Sequence, residues 1–421
     1  MRTMSQRAKM ELVTNWRPKY QRVGRRYKSK ILNEFCYLTG HDRKHAIKLM
    51  RCKTGIRRNV PGRKKIYGEE VIKPLRDIWA LAEYPCSKLL VAMLPEWLGY
   101  YEEQACSGND DVRQKMLNIS PSQIDRLLKP YRVKRSRWQR RGCKPGGLLR
   151  QQIPIRTGPW DAQTKPGYME MDAVAHCRES MAGSFVWSLT TTDIRTGWTC
   201  LRSVWNCGQH GITERIREIE QVLPFPWLGA DCDNGHEFLN KYVRDYFRQR
   251  PQPIEFTRSR PYHKNDNAHV EQKNWTHVRQ LLGRGRLPYA ELVPLINDLY
   301  SNAWEPFHNF FRPNMKLVSK VHIGSRYQKK YDEPKTPYRR LLESGCLSKA
   351  EIERLKKIKA FLNPITLKKV IEEKLKHIYT LFRQLEKKDG KKSRLPLRSD
   401  ELSKAHSRGA KRRRNKNLTA A

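Results

Sequence analysis

Asp172, Asp233 and Glu271 are the residues whose types and spacing point to chemistry, with 60 residues between the first two and 37 between the second and third. Asp172 sits inside a run over residues 168–176 that reads as a strand, and Asp233 directly follows a short apolar run over 227–232. Glu271 opens a helical pattern over about 268–282. If the two strands are neighbours, the aspartates stand side by side and the helix can cross that edge with its first turn aimed at them. Three carboxylates gathered in this way repel one another unless a cation lies between them. Hard oxygen donors with open positions suit Mg²⁺, with Mn²⁺ as a substitute, and two such ions can clamp the attacking and leaving oxygens of an in-line phosphoryl displacement.

Several neighbours compete for these roles. Glu170 shares a strand face with Asp172 and reads either as a further ligand or as a paired or solvated carboxylate, and Asp231 alternates with Asp233 in the same way. Asp193 and Asp266 read as caps, and Asn234 and Asn267 as turn residues. Lys264 and Lys273 flank Glu271 and either hold substrate phosphates or are ordinary surface charge. The elements that must position these groups form a consistent series. Strands over 168–176, 185–193 and 198–205, the last two joined through Arg195-Thr196-Gly197, predict an antiparallel meander. A helix over 212–222, a strand over 227–232, a helix over 237–248, a strand over 254–257 and the last helix complete a mixed α/β sheet flanked by helices.

The strings that hold the acids are Met-Asp at 171–172, Asp-Cys-Asp-Asn-Gly-His-Glu-Phe at 231–238 and Ser-Arg-Pro-Tyr-His-Lys-Asn-Asp-Asn-Ala-His-Val-Glu-Gln-Lys-Asn at 259–274. Over residues 160–285 they resemble the core of bacterial insertion-sequence transposases with an integrase catalytic domain, part of the retroviral integrase superfamily. The resemblance implies an RNase H-like fold and an Asp-Asp-Glu metal-binding triad at Asp172, Asp233 and Glu271. It also implies cleavage of DNA strands and joining of their 3′-hydroxyl ends to target DNA. The zinc-binding His and Cys pairs that open retroviral integrases are missing, so recognition of DNA ends is not carried over from them and falls to other parts of the chain.

Charge supports such a partner. The 421 residues hold 85 Lys plus Arg against 42 Asp plus Glu, a net +43, which calls for a polyanion, nucleic acid first and an acidic membrane surface second. With 38% hydrophobic residues, 11 Trp, 18 Tyr and 11 Phe, most of the chain has the material to fold. No stretch is apolar and long enough to span a membrane and the opening residues lack the apolar segment of a secretory signal, so a cytoplasmic, nucleoid-associated protein is expected. The ten cysteines include no Cys-x-x-Cys pair, and Cys36, His41, His45 and Cys52 match none of the common zinc frames.

Seven regions follow from pattern and composition. Residues 1–60 read as a helix-turn-helix unit, with Ile31, Leu32, Phe35 and Leu38 at helical spacing, a break at Gly40, then Ala46, Ile47 and Met50. Its second helix offers Arg43, Lys44 and Lys48 to a major groove, as any basic helical hairpin would. Residues 61–128 are helical and end in a second such unit, where Ser120-Pro121 starts a helix carrying Ser122, Gln123 and Arg126 as base or phosphate contacts. The stretch 68–105 is expected to pack the two units together. A basic linker at 129–165, the catalytic core at 166–285 and a small basic module at 286–335, with a β-hairpin that touches DNA, come next. A helical hairpin at 336–390 repeats Ile371, Leu375, Ile378, Phe382 and Leu385 at coiled-coil spacing, suited to intramolecular packing or to a dimer contact. A disordered basic tail closes the chain at 391–421. The function expected is a DNA transposase working as a homodimer or higher multimer on double-stranded DNA. The alternative is a DNA-binding regulator or target-capture protein with an inert integrase-like core.

Overall fold

A computed structural model describes residues 4–51, 66–105, 109–132, 165–178, 180–233, 235, 237–259 and 268–390. The linker residues 133–164, the tail 391–421, Cys52, Asn234, Lys264, Asp266 and Asn267 lie outside the described residues. The chain divides into two compact units between Ile66 and Tyr67.

The first unit is three helices, α1 (Gln6–Arg22), α2 (Arg25–Thr39) and α3 (Arg43–Arg51). Gly40 ends α2 in the left-handed region at φ 68°, and its N–H bonds to the Cys36 carbonyl, a geometry that costs glycine nothing. Asp42 then accepts the N–H groups of Lys44 and His45 and starts α3. Leu32 and Phe35 of α2 close on Ala46 and Met50 of α3 and on Val13 and Tyr20 of α1. Leu38, expected in this core, is 44% exposed, because Thr39 turns inward and bonds the Phe35 carbonyl at 2.6 Å.

In the second unit, α4 (Glu69–Leu81), α5 (Ser87–Ala105), α6 (Asp110–Leu117) and α7 (Pro121–Leu128) share one apolar core with everything that follows. Within this unit α5 is tied to the distal helices. Trp97 of α5 packs edge-on to Phe307, and its indole N–H reaches the Phe311 carbonyl at 3.4 Å.

The sheet holds β1 (Tyr168–Ala175), β2 (Val186–Asp193), β3 (Thr199–Trp205), β4 (Gly229–Cys232) and β5 (Glu255–Arg258) in the order β3-β2-β1-β4-β5. The first three strands are antiparallel, whereas β4 and β5 run parallel to β1. Between them come α8 (Gln209–Val222), which packs on β3, and α9 (Lys241–Arg248), which packs on β5. The expected helix over 237–248 begins four residues later, because the Asn240 side chain caps it by accepting the Val243 N–H at 3.0 Å. That leaves Glu237 in the turn after β4.

Helix α10 (Ala268–Lys273) crosses β1 and β2, and continues through a π-helical segment (Asn274–Arg279) into α11 (Gln280–Leu282). Next come α12 (Leu292–Leu299), a second π-helical segment (Tyr300–Trp304) and α13 (Glu305–Phe311), all packed on β3. A two-stranded ribbon, β6 (Leu317–Ile323) and β7 (Arg326–Tyr331), precedes α14 (Pro337–Glu343), α15 (Lys349–Phe361) and α16 (Pro364–Lys388). Ile371, Leu375, Ile378 and Phe382 of α16 are buried, and the helix lies on α12 and the second π-helical segment. The stripe that suited either a dimer seam or internal packing is therefore engaged internally. The chain is thus a mixed α/β protein, a five-stranded mixed sheet flanked by helices, preceded by a unit whose described residues form helices. Among the described residues no helix is long and apolar enough to cross a membrane.

Candidate active site

Parallel pairing sets the site's geometry. Glu170 stands in register with Asp231, and Met171 with Cys232, so Asp172 and Asp233 follow one step further on. Side chains alternate along a strand, which places all four acids on one face of the sheet. On β2 the same face carries Thr190, opposite Asp172, and Thr192, opposite Glu170.

Asp172 is half-buried at mid-strand. One of its oxygens accepts the Ala173 N–H at 2.7 Å and the other accepts the Asn274 side-chain amide at 2.5 Å. Its pKa is pushed well above the ordinary carboxylate range, first by burial and next by the charge of Asp233. The Ala173 hydrogen bond opposes the rise, while Glu237 and Glu271 add to it. Asp233 accepts the Gly235 N–H at 2.8 Å, a local turn that fixes the acid just beyond β4. Glu271 is exposed in the first turn of α10, and Asn274 is three residues further along the same helical path. The helix therefore brings a carboxylate and an amide to the strand acids together.

The remaining acids on this face have internal partners. Glu170 is 1% exposed and accepts the Val270 N–H at 3.1 Å, fixing α10 over β1. Asp231 is fully buried and accepts the Thr257 hydroxyl at 2.6 Å. Of the two readings of Glu170, the paired one fits. Asp193 caps the β2–β3 turn as expected, accepting the N–H and hydroxyl of Thr196 and the N–H of Gly167.

Two residues escape a reading of the sequence alone. Glu237 is buried, and its charge acts on Asp172; its signal is the Asp-x-x-x-Glu spacing that ends the 231–238 string. Asn274 is the last residue of the 259–274 string. Lys273 is partly buried beside Arg312 and Lys316, and burial followed by those two cations pushes its ammonium down to about 8. Among the described residues no three His, Cys, Asp or Glu side chains form a ready-made metal cage. The chemistry of the donors still suits a hard divalent cation, since each is a carboxylate.

The expected DNA contacts lie away from this cluster in sequence. In the first unit Lys44 and Lys48 are exposed on α3, but the Arg43 guanidinium is held by Ser29 at 2.7 Å and by Asn33. On α7 Ser122 and Arg126 are exposed, whereas Gln123 is partly buried and its N–H bonds to the Ser120 hydroxyl.

The fold and the site define an α/β protein with a carboxylate cluster where a central strand, its parallel neighbour and a crossing helix meet. No family model matches the chain. It is 37% identical over 347 residues to the uncharacterized protein y4rM of Sinorhizobium fredii (strain NBRC 101917 / NGR234), a match covering 82% of this chain and 97% of that protein, and the chain belongs to that protein's family. Among solved structures it is similar to a chain of the simian T-cell lymphotropic virus intasome in complex with the PP2A regulatory subunit B56 gamma. Identity there is 12%, coverage is 41% of this chain and 56% of that one, and the TM-score is 0.24, a likeness too slight to bear on fold or function.

Proposed function

We propose that the chain is a DNA transposase that cleaves phosphodiester bonds at element ends and joins the freed 3′-hydroxyls to target DNA. The observation that carries the reading is the placement of Asp172, Asp233 and Glu271, three acids far apart in sequence, close enough that the charges of Asp233 and Glu271 add to the rise that burial first gives the Asp172 pKa. The sheet order β3-β2-β1-β4-β5, with three antiparallel strands followed by two parallel ones, supports an RNase H-like core, as does the helix that crosses β1. In this reading Asp172, Asp233 and Glu271 hold Mg²⁺ or Mn²⁺, which supplies water activation and charge stabilisation for in-line displacement. The chain's own groups position that cluster. Glu170 sets the height of α10, Asn274 orients Asp172, and Glu237 deepens the negative potential that attracts cations. Lys273 on α10 and the exposed Lys44, Lys48, Ser122 and Arg126 are the groups proposed to hold duplex DNA. Work on two ends at once calls for a dimer or higher multimer, and the setting is the cytoplasm.

The test is an end-cleavage and strand-transfer assay with labelled duplex from the gene's own flanks in Mg²⁺. Wild type is expected to nick and join, and Glu271→Gln to bind equally and do neither. Tight binding with no cutting in Mg²⁺ or Mn²⁺ would favour a DNA-binding regulator with an inert core.

A further inference from the structure

The ribbon β6–β7 is the part of the second unit that its core does not explain. Its strands are seven and six residues long, and nearly all of their side chains are exposed, including Val321 at 53%, Ile323 at 59% and Tyr327 at 58%. From Lys316 to Tyr331 the sequence holds no acid, and Lys320, Arg326, Lys329 and Lys330 project from both faces. Among the described residues no ion pair joins these four to a carboxylate. An isolated two-stranded ribbon is marginal in water, so this one must be held at its base. At that base the Lys316 ammonium bonds to the carbonyls of Ile194 and Arg195 in the β2–β3 turn. Asp332 accepts the Lys316 N–H at 2.6 Å and the Arg340 guanidinium at 2.6 Å. The turn also approaches closely, since a Cβ on Gly197, at φ 77°, would lie 2.4 Å from the Asn314 side chain. The base is therefore rigid, and only the basic, apolar-tipped blade extends into solvent.

We propose that this ribbon is a duplex-DNA reader that lies in a major groove. The inference takes double-stranded DNA as the partner from the proposed function, but does not depend on its chemistry. Size favours the major groove. Two strands roughly 4.8 Å apart with their side chains fit a groove about 12 Å wide and not one about 6 Å wide. Charge favours a polyanion over a second copy of the ribbon, which would set cation against cation. The exposed apolar residues suit thymine methyls, the apolar feature of that groove.

The test uses the full chain carrying Lys320→Glu, Lys329→Glu and Lys330→Glu together, with duplex binding measured in chelator over a range of salt. Affinity is expected to fall at least about tenfold, with the slope of log K against log salt shallower by about 0.9 for each phosphate no longer neutralised. The Lys→Arg triple variant is expected to restore both, with thermal unfolding unchanged throughout. Replacing thymine by uracil is expected to weaken wild type but not Val321→Ser. Unchanged affinity and salt slope in the Glu variant overturns the proposal, as does a loss confined to single-stranded RNA or to self-association seen by light scattering. Wild type that binds duplex through the ribbon without cutting it leaves this inference standing and removes the catalytic reading alone. Wild type that binds no duplex removes both.

Discussion

Glu170 and Asp231 face each other across β1 and β4, and Asp172 and Asp233 follow two residues further along the same chain segments on the same face. The first pair is buried and each member has an internal donor, Val270 N–H for Glu170 and the Thr257 hydroxyl for Asp231. The second pair lies where the parallel pairing ends. Its members accept hydrogen bonds from Ala173, Asn274 and Gly235, and burial first and the charge of Asp233 second push the Asp172 pKa well up. Identical residue types thus diverge by position. Two steps inward a carboxylate becomes a strut for the crossing helix, and at the rim it stands beside a second acid whose charge, after burial, raises its pKa. In the proposed reading that rim pair holds the cation, and burial together with a like charge is the kind of perturbation that marks such sites.

The sharpest way to break this comparison is to neutralise one acid in each row. Asp172→Asn keeps the shape and the acceptor for Ala173 but removes the charge, and strand cleavage and joining in Mg²⁺ should fall by at least about 100-fold with DNA affinity unchanged. Equal loss from Asp231→Asn would show that the rows do not differ in kind. The next largest effect is on stability. Glu170→Ala strands the buried Val270 N–H and should cost about 1–3 kcal/mol in a denaturant titration. Asp231→Ala removes the acceptor of one hydroxyl and should cost about 1 kcal/mol, since Thr257 can turn to another acceptor.

The rim row is easier to read in the sequence than the strut row. Asp172, Asp233 and Glu271 can be placed because strand and helix periodicity fixes their elements, and the parallel β1–β4 pairing then follows from topology. Glu170 and Asp231 stay ambiguous, because whether a buried acid is paired depends on a backbone N–H 100 residues away, at Val270. Glu237 is hidden by an error of four residues in the start of α9, where the Asn240 cap outweighs the apolar pattern. The π-helical segment after Glu271 has no counterpart in simple periodicity, yet it starts at Asn274, the residue that reaches Asp172. Among the helices, the stripe on α16 is recognisable as apolar, but its partner, α12, can be found only in three dimensions.

The smallest effect tests the comparison most directly, because its sign is opposite in the two rows. A carboxyl whose folded pKa lies above its unfolded value binds its proton more tightly in the folded state. Its contribution to stability is present below the ordinary carboxylate pKa and is lost as the pH rises through the folded value. Asp172 is such a group, so at neutral pH its charge opposes folding. Asp172→Asn should therefore raise the melting temperature in chelator. That advantage should vanish as the pH falls below the ordinary carboxylate range, where wild type is protonated as well. Added Mg²⁺ should stabilise wild type and narrow the gap, since in the proposed reading the ion binds the folded carboxylates. Glu170→Gln should instead lower the melting temperature, because the amide is a weaker acceptor for the buried Val270 N–H and brings N–H donors of its own into a buried site. If both substitutions shift stability in the same direction, the division between strut and site at this edge of the sheet is wrong.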